Sequence, residues 1–280
     1  MRYHAPSSSS VYSKRYKVLT SHSLYMIQVI KIGGNVIDSA ENLSHFLDHF
    51  AQLPSPKVLV HGGGKLATRL CEQLGIETTM IDGRRVTDSQ TLDVVTMVYG
   101  GLVNKQMVAA LNARGCKAIG LSGADADLIP ARKRPAEPVN YGWVGDIEAG
   151  EVNVAFLKSL LEQGITPVVC PLTHDRQGHL LNTNADSVAS AVATAAARIA
   201  PTQLVFCFEK NGVLRNVDDP ESVIPFIDRP VYEQLLQEKV INKGMLPKIT
   251  AAFRAIDSGV SSVVIKHSDN LLVDFGTTIK

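Results

Sequence analysis

Apolar positions along this chain of 280 residues follow two alternating periods. Near-continuous apolar runs at 27–34 (ending in two glycines), 58–60, 118–121, 165–171, 203–208 and 263–266 predict strands buried on both faces. Between them, residues 39–52 place Leu43, Phe46, Leu47 and Phe50 at i, i+3, i+4 and i+7, the stripe of an amphipathic helix. The same reasoning predicts helices at 65–74 (stopped by Gly75), 89–113, 186–200, 230–238 and 246–258. Gly100-Gly101 inside the long helix is costly for propensity and predicts a close helix or subunit contact there. Strands alternating with helices of this length specify an α/β fold, a three-layer αβα sandwich with a mainly parallel central sheet. Residues 125–153 are rich in turn formers and predict a β-rich excursion. A hairpin pattern at 172–181, with Gly178 at its tip, sets the expected boundary near residue 175 between an N-terminal lobe (26–175) and a C-terminal lobe (176–280).

The first 25 residues stand apart. They are rich in Ser and Tyr, carry Arg2, Lys14, Arg15 and Lys17, and contain no acidic residue. They lack the apolar stretch of a secretory signal. With Met26 directly ahead of the first strand, they read as a disordered leader or a start assigned too far upstream. Over the whole chain, a net charge of +1 with 20% charged residues gives no basic footprint for nucleic acid or an anionic membrane. No apolar run approaches the ~18 residues of a membrane span. Cys71, Cys116, Cys170 and Cys207 are far apart, without a CxxC or a histidine at metal spacing. They read as small buried residues of a reducing, cytoplasmic compartment, and no metal centre of the protein's own is expected.

Two glycine-rich turns, KIGG at 31–34 and HGGG at 61–64, each end an apolar run. Glycine permits positive φ and, lacking a Cβ, lets an anion approach the backbone amides. Two such turns on adjacent parallel strands make a cradle for phosphate oxygens, with Lys31 supplying a cation. GRRVT at 83–87 sets a guanidinium in a turn between short strands, where its fork suits a carboxylate. NTNAD at 182–186 and GMLPK at 244–248 each open a helix. The second carries Lys248 in its first turn, where the helix dipole disfavours a cation. Taken singly, each cluster has a plain structural explanation: an ordinary βα turn, a cap at Asp186, a surface charge at Arg85. His61 reads as a packed, hydrogen-bonded core residue.

In this order, across residues 27–279, the clusters resemble the amino acid kinase family. Within it they are similar to the branch that phosphorylates the side-chain carboxylate of an N-acylated glutamate on the way to arginine. VNK (103–105), GLSGAD (120–125), VGDI (144–147), NGVL (211–214) and GTTI (276–279) add to the match. The resemblance implies an ATP-dependent kinase of N-acetyl-L-glutamate, or of another N-acyl-L-glutamate such as the succinyl compound. It also implies Mg2+ bound through the nucleotide phosphates. Lys31 and Lys248 would flank the transferring phosphoryl group, with Asp186 between them orienting both. Gly33 and Gly34 would bind phosphate; Gly63, Gly64, Arg85 and Asn182 would bind the acyl amino acid. The nucleotide would contact Glu209, Lys210, Asn211, Gly212, Val213, Leu214, Val240, Ile241 and Asn242.

Three positions depart from the family pattern. Arg84 stands where an apolar residue is usual, Ala124 where lysine is frequent, and Phe208-Glu209, followed by Lys210, where Thr-Asp is usual. Arg84 raises the idea of an acyl group with its own carboxylate, against the alternative that neighbours on a strand point to opposite faces. A homodimer built partly on helix 89–113 and insensitive to arginine is expected. The alternatives are a kinase of another small acid and a non-catalytic sensor with the same fold.

Overall fold

The apolar runs assemble into one sheet. In this computed structural model, which describes residues 26–148, 150–241 and 245–280, eight strands pair in the order 6-8-7-5-1-2-4-3. They are β1 (Ile27–Ile32), β2 (Lys57–Val60), β3 (Ala118–Leu121), β4 (Thr166–Val169), β5 (Thr202–Phe208), β6 (Phe226–Ile227), β7 (Ser262–His267) and β8 (Thr277–Ile279). All neighbours are parallel except β7 and β8. The proposed leader, residues 1–25, lies outside the described residues.

The helices are α1 (Gly34–Ile37), α2 (Ala40–Gln52), α3 (Gly64–Gln73), α4 (Ser89–Ala113), α5 (Val154–Glu162), α6 (Ala185–Ala197), α7 (Arg229–Gln237) and α8 (Leu246–Asp257). Side chains of β1 alternate between the two faces, as the pleat requires. Ile27 and Val29 join a core formed with α5, α6, α7 and α8, whereas Ile30 and Ile32 join one formed with α1 to α4. This is the expected αβα arrangement. The stripe read in α2 is the buried one, with Phe46, Leu47 and Phe50 inside and Ser39 capping the helix by accepting from Asn42 N.

Several expectations need correction. β3 is not buried on both faces: it is the sheet edge, and Ile119 is 36% exposed. Among the described residues, 125–153 hold one short hairpin, Arg132–Lys133 with Gly145–Asp146, and isolated bridges at Pro130, Gly142 and Val144, sparser β structure than expected. Pro130, Pro135 and Pro138 remove ladder donors there. The glycine pair of α4 sits in a π-helical segment, Thr96–Val103. Gly100 packs on a strand residue, since a Cβ there would lie 3.3 Å from Leu172 Cδ1, while Gly101 faces open space. The close contact therefore falls on a hairpin, not on a second helix. By length and composition α4 is apolar enough to cross a bilayer, contrary to the sequence expectation. Its Val98, Tyr99, Met107 and Leu111 are instead buried in the core beside β2 and β4. The hairpin at 172–181 is present as Leu172–His174 paired with Leu180–Asn182, and Gly178 has φ +95°. The four cysteines are buried and unpaired.

Candidate active site

Parity along β1 gives Lys31 its direction. It shares a face with Ile27 and Val29, toward the N-terminus of α6. There Asn184 is the cap, accepting from the amides of Asp186 and Ser187. Asp186 is thereby released from capping, and its Oδ1 lies 2.7 Å from Lys31 Nζ. Lys248, in the first turn of α8, holds its ammonium 4.1 Å from the centre of the Phe208 ring at the end of β5. Lys31, Lys248, Asp186, Gly33, Gly34 and Glu209 line one cavity of about 300 Å³. Asp186 was expected to bridge both lysines. Among the described residues its ion pair is with Lys31, and Lys248 rests on an aromatic face, attracted by the ring quadrupole.

The glycines of the two turns do different things. Gly33 has φ −79°, and its amide donates to Cys207 O at 3.1 Å. It therefore leaves room at the turn while its amide is used by the sheet. Gly34 opens α1, where an amide has no acceptor within the helix. Positive φ is required only at Gly63, at +151°, where a Cβ would also come within 2.9 Å of Tyr99 Cδ1. Beside it, His61 is fully buried as expected. Asn104 Nδ2, which also donates to Val168 O, lies 3.0 Å from His61 Nε2, so Nε2 accepts. The ring proton is then on Nδ1, donated to Gly62 O at 2.8 Å. Burial pushes the imidazole pKa down to about 4, so the ring is neutral and fixes the turn.

Arg85 sits on a two-residue hairpin, Met80–Ile81 with Arg84–Arg85, turned by Asp82 and Gly83 at positive φ. Its Nη2 donates to Gly64 O at 3.0 Å and Thr68 Oγ1 at 2.7 Å, anchoring the guanidinium on α3. Its Nη1 is buried with no hydrogen-bond partner. An unsatisfied buried donor is costly unless a ligand oxygen completes it. Gly63, Gly64, Arg85, Tyr99 and Asn182 line a cavity of about 190 Å³. Asn182 is buried, its Nδ2 donating to Thr87 Oγ1 at 3.0 Å. Arg84 lines this cavity too. It lies 3.8 Å from Asp146 Oδ1, a carboxylate already gripped by both arms of Arg134. A third cavity, about 520 Å³, has Arg84 and Asn184 in common with the arginine pocket and Asp186 and Lys248 in common with the lysine cavity. The three form one cleft.

On the nucleotide side of the resemblance, Glu209 reaches the lysine cavity. Val213 does not present its side chain: it is in the core, and its amide donates to Thr277 Oγ1 at 2.8 Å. Thr277 in turn donates to Ile224 O at 2.7 Å and packs so closely that a Cβ at Gly212 would lie 2.7 Å from its Oγ1. The 209–214 loop is thus pinned to β8. Asn211 donates to Pro220 O, Leu214 bridges Val223, and Lys210 is exposed. Val240 and Ile241 pack on the margin of the first core, and Asn242 lies outside the described residues. Sequence reasoning missed Thr277, Thr68 and Tyr99 as supports. Only the terminal GTTI hinted at the first, and no spacing marks the others. The described residues hold no group of three or more His, Cys, Asp or Glu side chains able to take a metal.

The sequence profile of the amino acid kinase family matches residues 26–267, and the chain belongs to that family. At finer resolution it is similar to proteins named acetylglutamate kinase. The one from Parabacteroides distasonis is 51% identical over 251 residues, covering 90% of this chain and 98% of that protein. The one from Cytophaga hutchinsonii is 53% identical over 247 residues, 88% of this chain and 93% of its own. Among solved structures, smu.665 from Streptococcus mutans aligns with a TM-score of 0.71 at 30% identity, covering 91% of this chain and 98% of that one.

Proposed function

We infer that the protein transfers the γ-phosphoryl group of ATP to the side-chain carboxylate of N-acetyl-L-glutamate, an early step of arginine biosynthesis. The observation that carries this reading is the convergence of Lys31 and Lys248, from opposite ends of the chain, on one cavity beside Asp186. The acceptor carboxylate is ionised at neutral pH, so no general base is needed. The barrier is repulsion between a carboxylate and a polyphosphate, together with in-line alignment. Two ammonium groups and the amides of Gly34 and Gly63 address the first term; Arg85 and Asn182 address the second by holding the acyl amino acid. The Nη1 of Arg85 is suited to the α-carboxylate. The nucleotide extends over the 209–214 loop toward Val240–Ile241. Asp38 and Asp186 are each paired with a lysine, and Glu209 is the further carboxylate at the cavity. Mg2+ therefore fits best as an ion carried on the nucleotide phosphates, where it would offset their charge.

A second reading of the acyl group rests on Arg84. Its guanidinium lines the acceptor cavity and shares Asp146 with Arg134, so its charge is only partly neutralised. A succinyl group, with a distal carboxylate, would complement it. ADP release measured across acetyl-, succinyl- and other N-acylated acidic amino acids tests both readings. Turnover of none of them would remove the kinase reading, and a strong acetyl preference would remove the succinyl one.

We also propose two lobes meeting near residue 175, and a cytoplasmic homodimer insensitive to arginine. Exposed Met97 and Leu102 on α4, beside the open edge strand β3, support the dimer. The four reduced cysteines support the compartment. Light scattering showing a monomer, or a hexamer tightened by arginine, would contradict the assembly.

A further inference from the structure

The lysine cavity has a third cation. Lys65 follows the three glycines of the second turn as the second residue of α3, a position where the helix dipole gives a cation no support. Its side chain is 64% exposed, yet it lines the same cavity as Lys31, Gly34 and Lys248. Among the described ion pairs, its partner is Asp38, the C-cap of α1. Lys65 Nζ is 3.2 Å from Asp38 Oδ2, and the Asp38 side chain is only 18% exposed. The carboxylate lies under the first glycine turn: a Cβ at Gly34 would sit 3.8 Å from the same Oδ2, and the Asp38 amide donates to Gly34 O. Asp38 thus tethers a residue of the second turn to the first.

We propose that Lys65 binds the polyphosphate of the nucleotide and that Asp38 positions its ammonium for this. The inference rests on the kinase reading above and adds a residue to it. Three ammonium groups meet around one cavity, each on a different holder: Lys31 on Asp186, Lys248 on Phe208 and Lys65 on Asp38. Lys31 and Lys248 stand on the floor formed by β1, β5 and α8. Lys65 enters from the end of the second glycine turn and is the most exposed of the three. An ammonium presents three donors, so it can serve a carboxylate and a phosphate oxygen together. A triphosphate carries more negative charge than two lysines can match, and a cation held at the mouth reduces that deficit without needing burial.

Steady-state kinetics of Lys65→Ala, Lys65→Gln and Lys65→Arg, alongside calorimetric binding of ADP and a non-hydrolysable ATP analogue, provide the test. The Ala and Gln variants should raise the KM for ATP and the Kd for the analogue about tenfold. The KM for the acyl-glutamate should stay unchanged, and Lys65→Arg should recover most of the loss. Asp38→Asn should raise the KM for ATP by a smaller factor. Wild-type nucleotide affinity in Lys65→Ala and Lys65→Gln would overturn the proposal, as would equal loss toward both substrates. Because binding is read without turnover, a wild-type protein that binds nucleotide but phosphorylates no acyl-glutamate would refute the kinase reading while still leaving Lys65 to be judged.

Discussion

Lys31 Nζ and Asp186 Oδ1 stand 2.7 Å apart, joining the first strand to the N-terminus of α6. Asp186 is 37% exposed, so the pair adds at most about 1 kcal/mol to stability. Its worth is in orientation. Asp186→Ala and Lys31→Ala should each lower kcat by roughly 100-fold or more while the melting temperature moves little. Thermal unfolding and initial-rate assays on the same preparations check this.

Lys248→Ala should reduce turnover much more than nucleotide affinity, by about 100-fold against a few-fold. Phe208→Leu keeps an apolar side chain but removes the ring quadrupole under the ammonium. A cation–π contact of about 0.5–2 kcal/mol implies a several-fold loss in kcat for that variant. Equal losses in kcat and ATP-analogue binding for Lys248→Ala would contradict a role in the transition state.

Arg85→Lys keeps the charge and loses the fork. Gly64 O, Thr68 Oγ1 and a ligand carboxylate cannot all be served by one ammonium in the same geometry. The expected result is at least a tenfold rise in KM for the acyl-glutamate, with the KM for ATP unchanged.

At Gly63 two costs coincide, the left-handed backbone and the ring of Tyr99. Gly63→Ala should destabilise the fold by about 1–3 kcal/mol in urea and lower activity further by displacing the turn. Adding Tyr99→Ala relieves the collision alone, so only part of the effect should return.

His61 has a folded pKa near 4, below the 6.5 of the free side chain. Between those values the unfolded chain binds more protons, so stability rises with pH across that window. The contribution is complete above pH 6.5 and is lost as the pH falls toward 4, on the order of 3 kcal/mol in total. Urea unfolding between pH 7.5 and 4.5 should show a slope that His61→Gln flattens.

The fold was legible wherever burial on both faces makes a strand nearly continuously apolar, as in β1, β2 and β5, and wherever a stripe recurs as in α2. Exceptions have local causes. β6, at two residues, and β8, at three, are too short to carry a period, and β3 has the composition of an interior strand although one side of it is open. In the candidate site, the lysines, Asp186 and Arg85, proposed from residue type and order, line adjoining cavities. Phe208 under Lys248, Thr277 on the 209–214 loop and Asp38 behind Lys65 were not legible, because each acts across a gap in the chain that no spacing encodes. That the sheet uses the Gly33 amide is likewise invisible in the sequence, since the acceptor, Cys207 O, is far along the chain.

Odd-numbered side chains of the first strand look one way and even-numbered ones the other. The ammonium of Lys31 therefore depends on counting: one residue inserted or deleted between Ile27 and Lys31 would swing it under the opposite layer of helices, away from Asp186 and Lys248. Such a frame slip could still leave an apolar strand in the middle of the sheet. The molecule's chemistry is in this sense more sensitive to phase than its architecture is.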